Sequence, residues 1–420
     1  MKRIAESYVK LVLALGQHDP DYVDTYYGPL EYRIEVEAQG RRPLADIRSE
    51  AVELISDLQA GHPQEPVPGA DPEARWTRLR QDFLIRQLQS LAARVDQLSG
   101  RRMTFDEESQ ALYDAVAPRY DETHFQRSLD QLDATLPGEG PVVDQLDRFL
   151  QSFLIQRERL DVVFRAAIAE CRRRTAEHIE LSPGESFEVE YVTGKPWSGF
   201  NLYKGGYHSL IQVNTDLPIY IDRAVDLASH EGYPGHHVHN MRLERRFVRG
   251  LGWPELSIHP LFSPQSLIAE GAASFGTEVV FPGQERVAWE QEKLFPLAGL
   301  DPARTERYYA VQELARKLSY AGNEAARRYL DGAITREQAV TWMRQYALYP
   351  KDRAEQRIRF VERYRSYVIN YNWGLDLVKE SVERQGGTPD RPGKRWEVFG
   401  ELLSAPRMPS GLREPFAGAC

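Results

Sequence analysis

The segment Asp226-Leu-Ala-Ser-His-Glu-Gly-Tyr-Pro-Gly-His-His-Val-His-Asn240 decides how the rest of the chain is read. In an H-E-x-x-H helix the two histidines stand one turn apart, so both imidazoles reach one metal ion. The glutamate beside the first can then activate water. Here Pro234 stands where the second histidine belongs, and the next histidine, His236, comes two residues late. Read as H-E-G-Y-(P-G)-H, the segment keeps the pattern with two residues inserted in its turn. Proline removes a backbone donor and glycine accepts unusual dihedrals, so Pro234 and Gly235 predict a widened turn that returns His236 to the side of His230. His237 is the rival second ligand. It shares a helical face with His230, but seven residues rise about 10.5 Å along the axis. Bonds of about 2.0–2.1 Å to one zinc ion do not span that distance unless the turn is strongly deformed.

Of the ten histidines, His208, His230, His236, His237 and His239 fall within 32 residues. Surface histidines around a Pro-Gly kink are the bland alternative. The apolar stripe Ile221, Ala224, Val225 and Ala228 leading into the motif argues against it. His208 and His239 are not expected to bind metal, and His208 is a candidate for facing substrate from a strand.

A catalytic zinc site takes three protein ligands and keeps one open position. Glu270, in SPQSLIAEGAASFGTEV, is the candidate third ligand, with Glu278 in reserve. Pro264 and the pair Leu267 and Ile268 predict a helix. Gly271, Ala272, Ala273 and Ser274 are small enough for a close approach to the metal helix.

Outward from the site, the expected class is mostly α with a small β ribbon just before the metal-binding helix. Residues 1–180 read as an N-terminal helical region. Residues 181–420 read as the candidate catalytic region, with strands within 187–214, metal helices at 219–245 and 264–280, and C-terminal helices. The two are expected to form one integrated unit. Residues 17–43 read as an irregular, turn-rich stretch, and 61–71 as a Pro-rich connection. Residues 142–179 read as one helix spanning roughly 50 Å, a spine of the fold. Long helices are also predicted at 302–331 and 351–384. FEVEYV (187–192) and GYHSLIQVN (206–214) read as strands separated by a Gly/aromatic loop. The second of these is a candidate edge for an extended peptide, or else purely structural.

Charge and composition exclude several classes. The 53 basic and 62 acidic residues give a net charge of -9, which offers no global attraction to nucleic acid. No apolar run is long enough for a membrane helix. The two cysteines, Cys171 and Cys420, support neither a disulfide framework nor a cysteine zinc ribbon, and a reducing cytoplasm is the expected setting. There is no phosphate-binding G-x-x-x-x-G-K-[ST] loop, no dinucleotide fingerprint and no G-x-S-x-G elbow.

The stretch VNTDLPIYIDRAVDLASHEGYPGHHVHN, followed by AEGAASFGTE and YRSYVINYNWGLDLV, resembles the bacterial DUF885 family of zincin-like metallohydrolases. The opening HDPDYVDTYYGP is similar to that family too. The resemblance spans most of the chain, and H-E-x-x-P-G-H is its specific part. It implies His230 and His236 as metal ligands, Glu231 as general base, and Glu270, in an E-G-x-A element, as third ligand. The family's tryptophan after the Glu-Gly pair is Ala272 here. The implied fold is that of helical zinc carboxypeptidases and oligopeptidases.

The residue types then suggest a zinc-dependent hydrolase acting on a small peptide or amide substrate. A zinc hydrolase of other esters or amides, or a catalytically silent binding protein with a vestigial metal site, are the alternatives. An oxyanion needs a donor besides the metal. Tyr371, matching the family's Tyr-x-x-Gly element with Gly374, is the first candidate. Tyr367 follows, four residues earlier on the same expected helix face, and Arg365 is a candidate anchor for a substrate carboxylate. Aromatic packing is the competing role for both tyrosines.

Overall fold

Apolar residues at helical spacing bury the first segment, α1 (Lys2–Gly16), along Tyr8, Val9, Leu11, Val12 and Leu15. The structure, a computed structural model, describes residues 1–60 and 72–413. The Pro-rich stretch 61–71 and Cys420 lie outside the described residues. After α1 come β1 (Val23–Tyr26), α2 (Leu30–Gln39), α3 (Leu44–Ala60), α4 (Pro72–Leu98), α5 (Phe105–Tyr113), α6 (Glu122–Thr135), α7 (Val142–Gln151) and α8 (Leu160–Ala176). Three strands follow: β2 (Ser186–Val192), β3 (Gly199–Gly205) and β4 (His208–Asn214). Next are α9 (Asp222–Leu227), α10 (His236–Leu243), β5 (Ile258–Pro260), α11 (Pro264–Val280), α12 (Gln284–Trp289) and α13 (Phe295–Ala298). The chain closes with α14 (Thr305–Arg316), α15 (Ala321–Leu330), α16 (Arg336–Tyr346), α17 (Lys351–Tyr364), α18 (Ile369–Arg384) and α19 (Pro392–Leu402). At 67% helix and 8% strand the fold is mostly α, as expected. Among the described residues no helix is long and apolar enough to cross a membrane.

Local signals set several boundaries. Thr104 and Glu107 form a reciprocal capping box at the start of α5, and Thr335 and Gln338 do so for α16. Ser263 caps α11 and Pro264 occupies its first turn, so this helix begins and ends where the pattern places it.

The 142–179 spine is absent. The chain leaves the helix after Gln151, and Leu154 forms an antiparallel bridge with Tyr220. The Ile155 N–H donates to the Ile219 carbonyl, and the Ile221 N–H to that of Phe153. Backbone pairing with a distant segment outcompetes helix propagation there, while Phe149 and Phe153 stay buried on either side of the break. The 302–331 helix divides into α14 and α15. The 351–384 helix breaks at Arg365, whose φ is +52°, and a 3-10 turn over Arg365–Val368 joins α17 to α18. Buried Glu108 of α5 holds that break: it accepts from the Ser366 N–H at 3.0 Å, the Ser366 hydroxyl at 2.6 Å and Arg365 Nε at 2.6 Å.

The strands also differ from the pattern. The expected Gly/aromatic loop contains β3, and the sheet order is β2-β4-β3, with β4 parallel to β2 and antiparallel to β3. The 206–214 strand is therefore central, with both edges used, and cannot accept a peptide. The stretch read as irregular, 17–43, holds β1 and α2. β1 pairs with β5, a partner more than 200 residues away that no local pattern announces.

Contacts between the N-terminal and C-terminal regions are numerous. Arg80 pairs with buried Glu255, Ser90 donates to the Phe262 carbonyl at 2.8 Å, and Arg327 binds Asp106 at 2.9 Å. At the centre lies α11. A Cβ on Gly271 would overlap the Gly374 carbonyl of α18, so these two helices touch backbone to backbone. Gly271→Ala is expected to lower stability by about 1–3 kcal/mol through overpacking. Denaturant unfolding checks this, and an unchanged midpoint would show that the helices separate freely.

Candidate metal centre

The turn between α9 and α10 is built from three features. A π-helical turn over Ala228–Gly232 widens the end of α9. The Tyr233–Pro234 peptide is cis. The Gly235 N–H donates to the Ser229 carbonyl at 2.9 Å, and a Cβ at Gly235 would overlap the carbonyl oxygens of His230 and Ser229. Only glycine permits that approach. The chain thus folds back on itself, and His236, the first residue of α10, returns to His230. Their Nε2 atoms lie 3.2 Å apart, with ring planes at 83°.

Glu270 reaches the same point from α11. Its Oε2 is 3.2 Å from His230 Nε2, and its Oε1 is 3.8 Å from His236 Nε2. Two donors held about 2.0–2.1 Å from one tetrahedral zinc ion lie roughly 3.3 Å apart, so this spacing suits a shared ion. Among the described residues these three form the group able to hold a metal ion. Two further observations fit. Glu270 Oε1 accepts from the Tyr367 hydroxyl at 2.8 Å, while the buried Oε2 has no hydrogen-bond partner. A buried carboxylate oxygen left without a donor is costly, and a cation would relieve that cost. His230 Nδ1 faces the Ser274 hydroxyl at 3.4 Å, which leaves Nε2 to point inward. Gly276 packs on Pro234, where a Cβ would stand 3.2 Å from the proline ring. Small residues in α11 thus allow its approach to the metal turn, as expected, and also to α18.

Glu231 sits beside the triad at 5% exposure. Asn201 of β3 donates to its backbone carbonyl at 2.6 Å. Gly199 of the same strand lies over its carboxylate, with a would-be Cβ only 2.7 Å from Oε1. Burial, with Glu270 adding its charge against the opposing pull of His230, pushes Glu231 up to about 7. Burial holds His236 down at about 3. Burial opposes the Glu270 carboxylate, but the adjacent His230 and His236 rings and the Tyr367 hydroxyl outweigh it and keep the group at about 2. Tyr371 stands with its ring 5.7 Å from that of Tyr367, within reach of the Glu270 and Glu231 charges, and burial drives its phenol upward. Tyr367 lies in the 3-10 turn rather than on a shared helix face, yet the two rings still meet.

The structure does not bring every candidate to the centre. His237 is fully buried between Ser209 Oγ, 2.8 Å from Nδ1, and Glu185 Oε2, 3.0 Å from Nε2. Both ring nitrogens are engaged, so it anchors the turn to β4 and to the residue preceding β2. Tyr233 and Arg172 bind the same glutamate at 2.5 and 2.7 Å. His208 is exposed at the outer end of β4, bonded to Ser186 at 2.8 Å, and makes no contact with the triad. Arg365 donates from Nε to Glu108 at 2.6 Å and is not among the residues that converge on the triad. Glu278 is held by Lys379 at 2.8 Å and Arg395 at 3.4 Å. Sequence reasoning assigned no role to Asp24, His239 or His259. Burial, together with Glu270 and Glu231, pushes Asp24 up to about 7, and burial holds His239 at about 3 and His259 at about 4. The one available signal for Asp24 was its place in HDPDYVDTYYGP.

No protein-family model matches the chain, and no curated protein matches it. Among solved structures, the chain is similar to "the putative lipoprotein from Colwellia psychrerythraea" at 16% identity and TM-score 0.51, over 91% of this chain and 71% of that one. A second, "a putative lipoprotein of unknown function from Shewanella oneidensis", aligns at 14% identity and TM-score 0.49, over 92% and 78%. The first likeness shows a shared fold.

His236→Ala is expected to abolish zinc retention, whereas His237→Gln keeps about one ion per chain and loses about 1–3 kcal/mol of stability by disturbing its buried bonds to Glu185 and Ser209. Elemental analysis after dialysis and thermal unfolding read the two effects. Loss of zinc only in the His237 variant would reverse the ligand assignment.

Proposed function

We propose that the chain is a zinc-dependent hydrolase of the DUF885 type that cleaves peptide or amide bonds, with a zincin-like helical metallopeptidase fold. One observation carries the reading: His230, His236 and an orphaned Glu270 oxygen converge at zinc-ligand spacing, with the Glu231 carboxylate beside them.

Zinc held by His230, His236 and Glu270 would supply Lewis acidity toward water and a scissile carbonyl. Glu231 takes the proton of the attacking water on its carboxylate and delivers it to the leaving amine. Tyr371, whose hydroxyl is free of protein partners among the described residues, donates to the oxyanion as the carbonyl becomes tetrahedral. Tyr367 is a positioning residue: by donating to Oε1 of Glu270 it keeps Oε2 directed at the metal position. β3, an edge strand with Gly199 against Glu231, takes over from β4 as the candidate edge for an extended peptide. A reducing cytoplasmic setting is part of the same reading and rests on the low cysteine content and the buried Cys171 thiol.

Glu231→Gln is expected to retain zinc and to lose hydrolysis of a peptide panel by about 10²–10⁴-fold, because an amide cannot act as the base. Normal turnover by that variant would move the base elsewhere. Tyr371→Phe is expected to lower kcat about 10²-fold with little change in KM. An unchanged kcat removes its hydroxyl from the reaction.

A further inference from the structure

We propose that a cavity where α4, α15 and the Arg365–Val368 turn meet binds a small phosphate monoester, at a site that shares no residue with the His230, His236 and Glu270 group.

The cavity has a volume of about 430 Å³. Small-molecule sites span roughly 300–1,000 Å³. Four arginines line it: Arg94 from α4, Arg101 and Arg102 from the loop that follows, and Arg365 from the turn between α17 and α18. Among the described residues no aspartate or glutamate lines it. The carboxylates that hold these arginines bind them without entering the wall. Asp19 takes Arg94 at 2.6 Å, and Glu108 takes Arg365 Nε at 2.6 Å. Asp96 takes Arg101 at 3.2 Å but is shared with Arg48 at 2.6 Å. Arg102 is exposed and has no partner among the described residues. Positive charge therefore exceeds negative charge around the cavity, and like charges drawn into one concave wall call for an anion.

Two of the arginines are held in place. Arg94, at 12% side-chain exposure, is fixed through Nε and Nη2 by Asp19 and through Nη1 by Gln97. Arg365 stands at φ +52°, a left-handed conformation uncommon for a residue with a Cβ. Backbone of this kind gathers at ligand clamps. Glu108 fixes the Nε edge of Arg365, and its Nη1 and Nη2 donate to no residue among those described.

The arrangement selects the anion. One guanidinium fork satisfies a carboxylate, whereas a phosphate monoester offers three terminal oxygens to forks arriving from separate elements. Leu98 and Met103 make part of the same wall apolar, so the ligand carries a short apolar body beside its phosphate.

Calorimetry on the full chain tests this with phenyl phosphate, phenylacetate and benzyl alcohol as probes. Phenyl phosphate is expected to bind about tenfold more tightly than phenylacetate, and benzyl alcohol not to bind. Arg102→Gln and Arg365→Lys are each expected to weaken phenyl phosphate about tenfold, the second because an ammonium cannot reproduce the fork. Should Arg365→Lys fail to fold, Arg102→Gln decides the matter, since its side chain supports no other residue. Arg165→Gln, an exposed position on α8 outside the cavity, and His236→Ala are expected to leave the affinity unchanged. Absence of phenyl phosphate binding, or full affinity in Arg102→Gln, would overturn the site. An equal loss in Arg165→Gln would reduce it to general charge attraction, and a loss in His236→Ala would move the anion to the triad. Phenylacetate binding as tightly as phenyl phosphate would overturn the phosphate assignment in favour of a carboxylate. Hydrolysis plays no part in these readings, so the site stands or falls independently of the activity proposed above.

Discussion

The distance between three helical segments governs everything at the centre of this molecule, and glycine sets it. Gly271 lets α11 lie against the backbone of α18 at Gly374, and Gly276 lets the same helix lie against Pro234 of the turn that carries His230 and His236. A side chain at Gly271 would separate the two helices, and one at Gly276 would press on the proline ring. Glu270 stands one residue from the first contact and reaches both His230 and the Tyr367 hydroxyl. Packing therefore comes before chemistry here: the carboxylate meets the imidazoles because small residues on α11 have no volume to keep it away.

The Pro-Gly turn depends on a second close approach. Gly235 occupies a position where any Cβ would strike the carbonyls of His230 and Ser229. Buried His237, Glu185, Tyr233 and Ser209, with exposed Arg172 bound to Glu185, then fix the turn from behind. Dividing the work between adjacent histidines has a physical logic. One presents its ring nitrogens to Glu185 and to the sheet, and the other is free to meet His230 and Glu270.

Much of this was legible in the sequence. The Pro-Gly insertion predicted that His236 would return to His230, and the small residues after Glu270 predicted a close helix crossing. Helix α11 ran over the residues its Pro264 start and apolar pattern indicated. What sequence could not show were interactions whose partner is distant. The 142–179 helix broke because Leu154 found Tyr220, and the 351–384 helix broke because Glu108 reached Arg365 and Ser366. Strand β1 exists through β5, and its register irregularity between Val23 and Thr25 exists only in that pairing. The pairing of Arg365 with Glu108 was hidden for the same reason: the glutamate lies in a helix some 250 residues earlier.

Anomalous diffraction at the zinc edge, from crystals of the zinc-loaded protein, tests the central claim most directly. The account predicts one strong peak, bonded to Nε2 of His230, Nε2 of His236 and a carboxylate oxygen of Glu270, at distances of about 2.0–2.2 Å. A peak elsewhere in the molecule, or a zinc ion that leaves Glu270 uncoordinated, would contradict it.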